Sequence, residues 1–178
     1  MKTIPLHLLA ITALIGAAAC TKAPEQTEST TTDQTPATSQ TAPQPTADAS
    51  IPEKKVEITG NDQMKFDVAL IEVKPSQKVS LTLKNVGTMP KVSMGHNWVL
   101  LAKDQDPAAF VEASQMQMAN EYVAPELKSK VLAHTKLLGP GESDTITFVA
   151  PSTPGEYVYI CSFPGHFAIG MKGVLKVQ

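Results

Sequence analysis

Near its C-terminus the chain reads Cys161-Ser-Phe-Pro-Gly-His166-Phe-Ala-Ile-Gly-Met171-Lys-Gly173. A thiol, an imidazole and a thioether thus fall within eleven residues, between two segments that have the apolar pattern of β-strands. The Pro-Gly pair favours a turn that can bring the three side chains around one point. Soft thiolate and thioether donors together with imidazole select copper, and Cu(I) especially. The segment therefore predicts a copper-binding loop between two strands.

A second histidine is needed to complete such a site, and the candidate is His96. It stands in Met94-Gly-His-Asn-Trp98, at the start of an apolar segment. Two histidines and a cysteine in a plane, with a weak axial methionine, define the blue-copper electron-transfer site. The predicted ligands of one copper ion, used as Cu(I) and Cu(II), are His96, Cys161, His166 and Met171. Zinc is the main competing metal, but its sites usually avoid thioethers, and its structural sites generally use more than one cysteine.

The remainder of the C-terminal part has a mostly β pattern. Short alternating or apolar segments bounded by Gly and Pro turns occur at residues 56–59, 69–73, 78–84, 97–102, 131–138, 145–150, 156–161 and 174–177. One segment differs, because Asp106 can cap a helix that begins at Pro107 and extends to about residue 118. We therefore predict an all-β, Greek-key β-sandwich with one short helical insertion over residues 53–178. Trp98 is expected to pack in its core.

Residues 1–19 have the pattern of an export signal peptide. Lys2 is followed by a mainly apolar run, and three alanines precede Cys20. The run is too short, and followed too soon by polar residues, to predict a permanent membrane span. Small residues before a cysteine resemble the lipobox of bacterial lipoproteins, in which the cysteine is lipidated. Ordinary signal cleavage, with a free thiol at Cys20, is the alternative.

Residues 20–52 are expected to be a disordered linker that begins with the lipidated cysteine. Thr, Pro, Gln, Ala and Ser dominate, so the segment cannot bury enough apolar surface to offset its ordering entropy. As a coil it would span roughly 30 Å, and fully extended roughly 100 Å. The expected product is an exported protein on the periplasmic side, lipid-anchored to a membrane. Thr21, rather than aspartate, favours the outer membrane in a Gram-negative cell.

The charge of the chain argues against some classes of partner. The net charge is −2, and residues 53–178 carry 13 lysines and 13 acidic residues. A neutral domain gives no reason to expect nucleic acid as a partner. The sequence contains no arginine, which weighs against a nucleotide enzyme. We expect a monomer.

Over nearly its whole length the predicted domain resembles the azurin branch of the cupredoxins. The matching stretches are Met94-Gly-His-Asn-Trp98, Ala133-His-Thr-Lys136, Pro140-Gly-Glu-Ser-Asp144, Cys161-Ser-Phe-Pro-Gly-His166 and Met171-Lys-Gly173. The resemblance implies a Greek-key sandwich with type 1 copper that transfers electrons between larger redox proteins. It also implies a weak contact of the Gly95 carbonyl with copper. The Asn97 side chain should hold the cysteine loop, and the Phe163 backbone N–H should bond the cysteine sulfur.

Three features depart from the azurin pattern. Four residues, 167–170, separate His166 from Met171, whereas azurins have three, and this longer spacing is similar to that of the membrane-associated auracyanins. The azurin disulfide has no counterpart, because the other cysteine is Cys20 in the leader. The non-ligand histidine that azurins carry before the first copper ligand is replaced around Asn85, so its pH switch is expected to be missing. His134 matches a surface histidine of azurins and is not expected to bind metal.

The predicted function is a one-electron carrier rather than an enzyme. Expected partners are redox proteins such as cytochromes, respiratory or photosynthetic complexes, or periplasmic reductases. They would meet His166 within an apolar docking rim formed by Met89, Met94, Phe163, Ala168 and Ile169. A copper-storage protein would typically use open sites rich in Met and His. A copper oxidase or nitrite reductase needs a second copper centre, which four histidines in the whole chain cannot supply.

Overall fold

The computed structural model describes residues 46–178. Residues 1–45 lie outside the described part of the chain. They include the predicted signal peptide, the predicted lipidation site Cys20 and most of the predicted linker.

The described residues form a Greek-key β-sandwich, which confirms the predicted fold class. In chain order, the strands and helices are β1 (Lys54–Asn61), β2 (Lys65–Phe66), β3 (Leu70–Val73), β4 (Lys78–Asn85), α1 (Lys91–Met94), β5 (Val99–Leu101), α2 (Pro107–Ser114), β6 (Val131–His134), β7 (Ser143–Val149), β8 (Gly155–Ile160) and β9 (Lys172–Val177). Two short 3₁₀ segments, Met118–Asn120 and Pro125–Lys130, lie between α2 and β6.

The strands are arranged in two sheets. The first has the order β2-β1-β4-β7, and the second has the order β3-β9-β8-β5-β6. β1 is parallel to β4 and β3 is parallel to β9, whereas the other neighbours are antiparallel. Parallel neighbours cannot be joined by a tight hairpin. The chain therefore crosses to the second sheet at β3 before it returns to pair β4 with β1.

The core lies between the sheets and is filled by alternate side chains of the strands. In β4, for example, Val79, Leu81 and Leu83 are fully buried, while the residues between them are not. Trp98 is fully buried, with its ring centroid 5.7 Å from that of Phe148 and 5.3 Å from that of Tyr159. The prediction that Trp98 packs in the core is confirmed.

The helical insertion is shorter than the sequence predicts, and α1 and the two 3₁₀ segments are additional to it. α2 begins as expected, with the Asp106 side chain accepting a 2.9 Å hydrogen bond from the Ala108 N–H. It ends at Ser114 instead of near residue 118. The Ser114 side chain is buried, and its hydroxyl accepts a 3.2 Å hydrogen bond from the N–H of Ala124 on the returning chain. The last residue of the helix is thus held by a tertiary contact that a sequence pattern does not reveal.

One end of the sandwich carries the predicted copper loop. β8 ends directly before Cys161, and β9 begins directly after Met171. A cluster of buried side chains covers this end, formed by Tyr122, Leu137, Cys161, Phe163 and Met171. Two hydrogen-bonded neighbouring strands thus hold both ends of the loop at a fixed separation.

Candidate metal centre

His96 is held by a two-bond bridge to another loop. Its N–H donates to the Leu138 carbonyl at 3.0 Å, and its carbonyl accepts from the Leu138 N–H at 2.7 Å. The bridge lies just before β5, and the His96 side chain is fully buried. This reciprocal pair fixes the backbone from which the imidazole projects.

The loop between Cys161 and Met171 is closed by backbone hydrogen bonds. The Cys161 N–H donates to the Met171 carbonyl at 3.0 Å, and the Met171 N–H donates to the His166 carbonyl at 3.0 Å. Gly165 and Gly170 have φ values of +87° and +98°, a region that favours glycine. The longer spacing before Met171 is accommodated by the turn at Gly170, and the Met171 side chain is fully buried.

Three of the predicted ligand side chains converge. The Nδ1 atoms of His96 and His166 are 3.2 Å apart, and the Cys161 Sγ lies 3.4 Å from the His166 Nδ1. The three ligand atoms lie within 4.8 Å of one another, and all three residues are buried. Metal–nitrogen bonds of about 2.0–2.1 Å at tetrahedral or trigonal angles would place two nitrogens about 3.3–3.6 Å apart. The spacing of the two rings therefore fits a shared metal ion.

The chemistry of the donors also fits copper. Two unprotonated ring nitrogens that face each other at 3.2 Å repel, unless a proton or a cation lies between them. The third donor is a cysteine sulfur, and the Met171 thioether belongs to the same buried cluster. One thiolate, two imidazoles and one thioether are the donor set of type 1 copper, whereas zinc sites rarely include a thioether.

Burial sets the protonation of the copper-free site. It raises the pKa of the Cys161 thiol to about 12, although the backbone N–H groups of Asn97 and Phe163 act in the opposite direction. It lowers the pKa of His166 to about 4, and the neighbouring His96 adds to this effect. Burial also lowers the pKa of His96, whereas a hydrogen bond with the Asn61 backbone acts to raise it. At neutral pH the free site therefore holds a neutral thiol and two neutral rings.

Asn97 joins three segments of the chain behind the site. Its Oδ1 accepts a hydrogen bond from the Ser162 N–H at 2.9 Å, and its Nδ2 donates to the Ser162 hydroxyl at 2.8 Å. The same Nδ2 donates to the Glu121 carbonyl at 2.8 Å. Asn97 and Ser162 are both fully buried. The sequence interpretation missed Ser162, because a serine beside a cysteine carries no signal until the fold places it opposite an asparagine.

Aromatic packing positions the His166 ring. Its centroid lies 4.6 Å from that of Phe163, and Phe163 in turn meets the edge of Tyr122 at 5.1 Å. Phe163 exposes only 7% of its surface. The side chain therefore packs against the His166 ring and offers little surface to a docking partner.

The other residues of the predicted docking rim reach the surface to different extents. Met89 and Ile169 are 42% and 56% exposed, Ala168 is exposed, and Met94 is half-buried. His166 itself exposes 2% of its surface and His96 exposes none. Only a small part of the His166 side chain therefore reaches solvent.

Gly95 and His134, which the sequence analysis also names, lie in different parts of the structure. Gly95 is buried directly before His96, and a side chain there would meet the Lys91 carbonyl oxygen at 2.7 Å. His134 lies on β6, is exposed, and has its Nδ1 3.1 Å from the Thr135 carbonyl oxygen. It is not among the three side chains that converge.

Comparison with known proteins identifies the group to which this architecture belongs. Residues 52–178 match the family of copper binding proteins described as the plastocyanin/azurin family. The chain is a member of the plastocyanin/azurin family. The azurin-1 of Alcaligenes xylosoxydans xylosoxydans is 45% identical over 128 residues, which cover 70% of this chain and 98% of that protein.

Solved structures of the plastocyanin/azurin family agree with this assignment. Auracyanin from Roseiflexus castenholzii is 35% identical with a TM-score of 0.62, and the match covers 70% of this chain and 97% of that one. An azurin (Az-iso2) from Methylomonas sp. strain J is 32% identical with a TM-score of 0.63, covering 70% and 98% of the two chains. The resemblance to both azurins and auracyanins is confirmed.

As a member of this family with a His-Cys-His cluster, the protein is a blue-copper electron carrier that uses one copper ion. Proteins of this group are electron carriers and not enzymes. Within residues 46–178, the cysteine is free and buried.

Proposed function

We propose that His96, Cys161, His166 and Met171 would hold the copper ion, with Met171 in the role that the weak methionine ligand has in blue-copper sites. The convergence of the two Nδ1 atoms and the Sγ carries this proposal. Copper with this donor set supplies reversible exchange of one electron between Cu(II) and Cu(I). The protein contributes fixed donor positions, because β8 and β9 hold the loop and Leu138 holds His96. Donors that stay in place in both oxidation states avoid a rearrangement that would slow electron transfer.

The groups around the ligands are proposed to tune the site. The backbone N–H groups of Asn97 and Phe163 act on the Cys161 sulfur and favour its thiolate form. The Asn97 side chain holds Ser162, which follows the ligand. The Gly95 carbonyl is proposed as a weak additional contact, as the azurin resemblance implies.

The visible and electron paramagnetic resonance spectra of the copper-loaded protein test this proposal. We expect an intense thiolate-to-copper band that is lost in Cys161→Ser, because a hydroxyl is a poor ligand for this site. Cys20→Ser is the matched control and should keep the colour. Intense blue colour in Cys161→Ser, or its loss in Cys20→Ser alone, would overturn the ligand assignment.

We further propose that electrons leave at His166, through an apolar rim of Met89, Met94, Ala168 and Ile169. The exposure of Met89, Ala168 and Ile169 around a nearly buried His166 supports this. Azurins are redox carriers to proteins such as cytochromes. For this chain, cytochromes, respiratory or photosynthetic complexes, or periplasmic reductases are the proposed partners. A neutral, apolar contact should be small in area and brief.

The organisation of the chain is proposed as a signal peptide at 1–19, a lipidated Cys20 with a linker to residue 52, and the copper domain at 53–178. Azurin homologues are periplasmic, which supports export. Among residues 46–178, no helix is long and apolar enough to cross a membrane. We propose anchoring through the lipid, with the outer membrane favoured in a Gram-negative cell, and a monomeric protein.

The anchor is tested by membrane fractionation of cells that express the full chain. Wild type should sediment with membranes and should incorporate labelled palmitate, whereas Cys20→Ser should be soluble and unlabelled. Cys20→Ser that remains with the membrane would refute lipid anchoring. Gel filtration of this soluble variant should give the mass of one chain.

A further inference from the structure

Gly60 lies next to the copper site, although its backbone does not require glycine. It is the penultimate residue of β1, pairs with Phe66 of β2 and with Asn85 of β4, and is buried. Its φ lies outside the left-handed region, unlike those of Gly165 and Gly170. A glycine inside a strand weakens it, and often marks a place where another group approaches closely.

The groups that approach Gly60 belong to two of the proposed copper ligands. A Cβ atom at Gly60 would lie 3.0 Å from the Met171 Cε and 3.1 Å from both Cγ and Cδ2 of His96. Carbon atoms pack best at about 3.5–4.0 Å, so a methyl group at this position would displace its neighbours. The main chain of β1 is therefore one wall of the metal site.

The two neighbours differ in their freedom to move. The His96 ring is buried, and its backbone is held on both sides by Leu138. The Met171 Cε is the free end of an unbranched side chain and can rotate about the bonds to its sulfur. A side chain at position 60 would therefore push the thioether first.

We propose that Gly60 is a positioning residue for the copper site, because its missing side chain lets the Met171 methyl group and the His96 ring pack against β1. The space at Gly60 then sets where the Met171 sulfur lies. This inference rests on the proposed role of Met171 as the axial ligand. In blue-copper sites the axial ligand tunes the reduction potential, so Gly60 controls the potential without touching copper.

The test is Gly60→Ala in the full chain, with two readouts. In the copper-loaded protein, the added methyl group should displace the Met171 sulfur from its place as a ligand. The oxidised state then loses a donor, so the reduction potential should rise. We expect at least a threefold change in the preference for Cu(I) over Cu(II), which is about 28 mV at 59 mV per tenfold change. In the copper-free protein, the NMR signal of the Met171 ε-methyl group should move.

Gly139→Ala is the matched control. A Cβ there would lie 3.0 Å from the Lys91 Cβ, so its shortest contact equals that at Gly60 but involves no proposed ligand. We expect it to leave both the potential and the Met171 methyl signal unchanged. A shift of the same size in Gly139→Ala would overturn the inference, since general crowding would then suffice.

The Met171→Ala background separates this inference from the ligand assignment. Without the thioether, adding Gly60→Ala should no longer shift the potential by a comparable amount. If Met171→Ala itself leaves the potential unchanged, the axial ligand assignment fails and the inference fails with it. If Met171→Ala changes the potential but Gly60→Ala changes neither readout, only the inference is refuted. If Gly60→Ala alone does not bind copper, the variant that combines it with Met171→Ala decides the matter. Restored copper binding in the combined variant supports the inference, and continued loss of binding refutes it.

Discussion

The side-chain amide of Asn85 donates a 3.1 Å hydrogen bond to the Leu138 carbonyl, the same carbonyl that accepts the His96 N–H. Asn85 exposes 1% of its surface, and its Oδ1 accepts from the Gly87 N–H at 2.8 Å. Asn85 thus supports the backbone of a proposed copper ligand. It does so with a group that cannot change its charge.

The reduction potential is therefore expected to be nearly independent of pH between about 5.5 and 8. A protonated imidazole near copper would favour Cu(I) and raise the potential at low pH, but Asn85 has no proton to gain. Voltammetry of the copper-loaded protein should show a slope far below the 59 mV per pH unit of a fully coupled proton. Asn85→His should introduce a potential that rises as the pH falls. A wild-type slope equal to that of Asn85→His would contradict this account.

Copper affinity should, by contrast, depend on pH with a slope of one proton. The thiol of Cys161 has a pKa near 12 in the free protein and must lose its proton to bind, whereas burial lowers the pKa of both histidines. Between pH 6 and 8 the apparent affinity should rise about tenfold per pH unit, equivalent to about 1.4 kcal/mol. Calorimetry in buffers of different ionisation enthalpy should count one proton released per copper. Release of two protons would show that a histidine is also protonated in the free site.

Met171→Leu should yield a blue protein with a raised reduction potential. Leucine has nearly the same volume but no sulfur donor, so the oxidised state loses more stabilisation than the reduced state. The potential and the visible spectrum are to be measured together. A colourless protein would contradict a weak axial role, and an unchanged potential would mean that the longer His166–Met171 spacing keeps the thioether from copper.

Ala168→Glu should slow electron self-exchange while leaving the spectrum unchanged. The exposed Ala168 lies in the loop beside His166, and a charge there would have to be desolvated when two apolar rims meet. Ala47→Glu is the control, because it places the same charge at another exposed position that is not in the copper loop. Ala47 lies beside the β3–β4 connection, where the N–H of the next residue, Asp48, donates to the Ser76 carbonyl. The exchange rate can be measured by NMR line broadening in mixtures of Cu(I) and Cu(II) protein. Equal rates in the two variants would place electron exit on another face.

Asn97→Ala should destabilise the copper-free protein more than Ser162→Ala does. The first change leaves the buried Ser162 N–H and the Glu121 carbonyl without their partner, at a cost of about 2–4 kcal/mol. The second removes a hydroxyl but keeps the bond from the Ser162 N–H to Asn97, so the expected loss is about 1 kcal/mol. Urea unfolding of both variants gives the two free energies. A larger loss in Ser162→Ala would mean that the hydroxyl, rather than the amide, holds the loop.

The sequence was sufficient for the fold and for the copper loop because their signals are local. Cys161, His166 and Met171 lie in one loop, and the strands that flank it have clear apolar patterns. His96 was the weaker inference, since it lies far from the loop in the sequence and a lone histidine before an apolar segment has many ordinary explanations. The short strand β2 was not foreseen, because two residues are too few to show an alternating pattern. The end of α2 at Ser114 was not foreseen either, because the hydrogen bond from the Ala124 N–H to Ser114 depends on the path of the returning chain.

Burial was the property that the sequence conveyed least well. Phe163 and Ala168 lie five residues apart in the same apolar loop. Phe163 is buried against the His166 ring, whereas Ala168 is exposed. Gly60 gave no signal, because it follows the predicted segment 56–59, and nothing in the sequence indicated which groups approach it. Both depend on side chains from distant parts of the chain meeting at one point.

The hydrogen bond from the Cys161 N–H to the Met171 carbonyl joins the first and last residues of the copper loop. The nine residues between them start and finish at two neighbouring positions that the sheet fixes. The number of residues in the loop can therefore change without altering the sandwich. The loop is in this sense an exchangeable part, because it carries His166 while the two sheets that support it can stay the same. Related carriers can then differ in this short loop, and in the partner proteins that they bind, while the strands that support the loop stay the same.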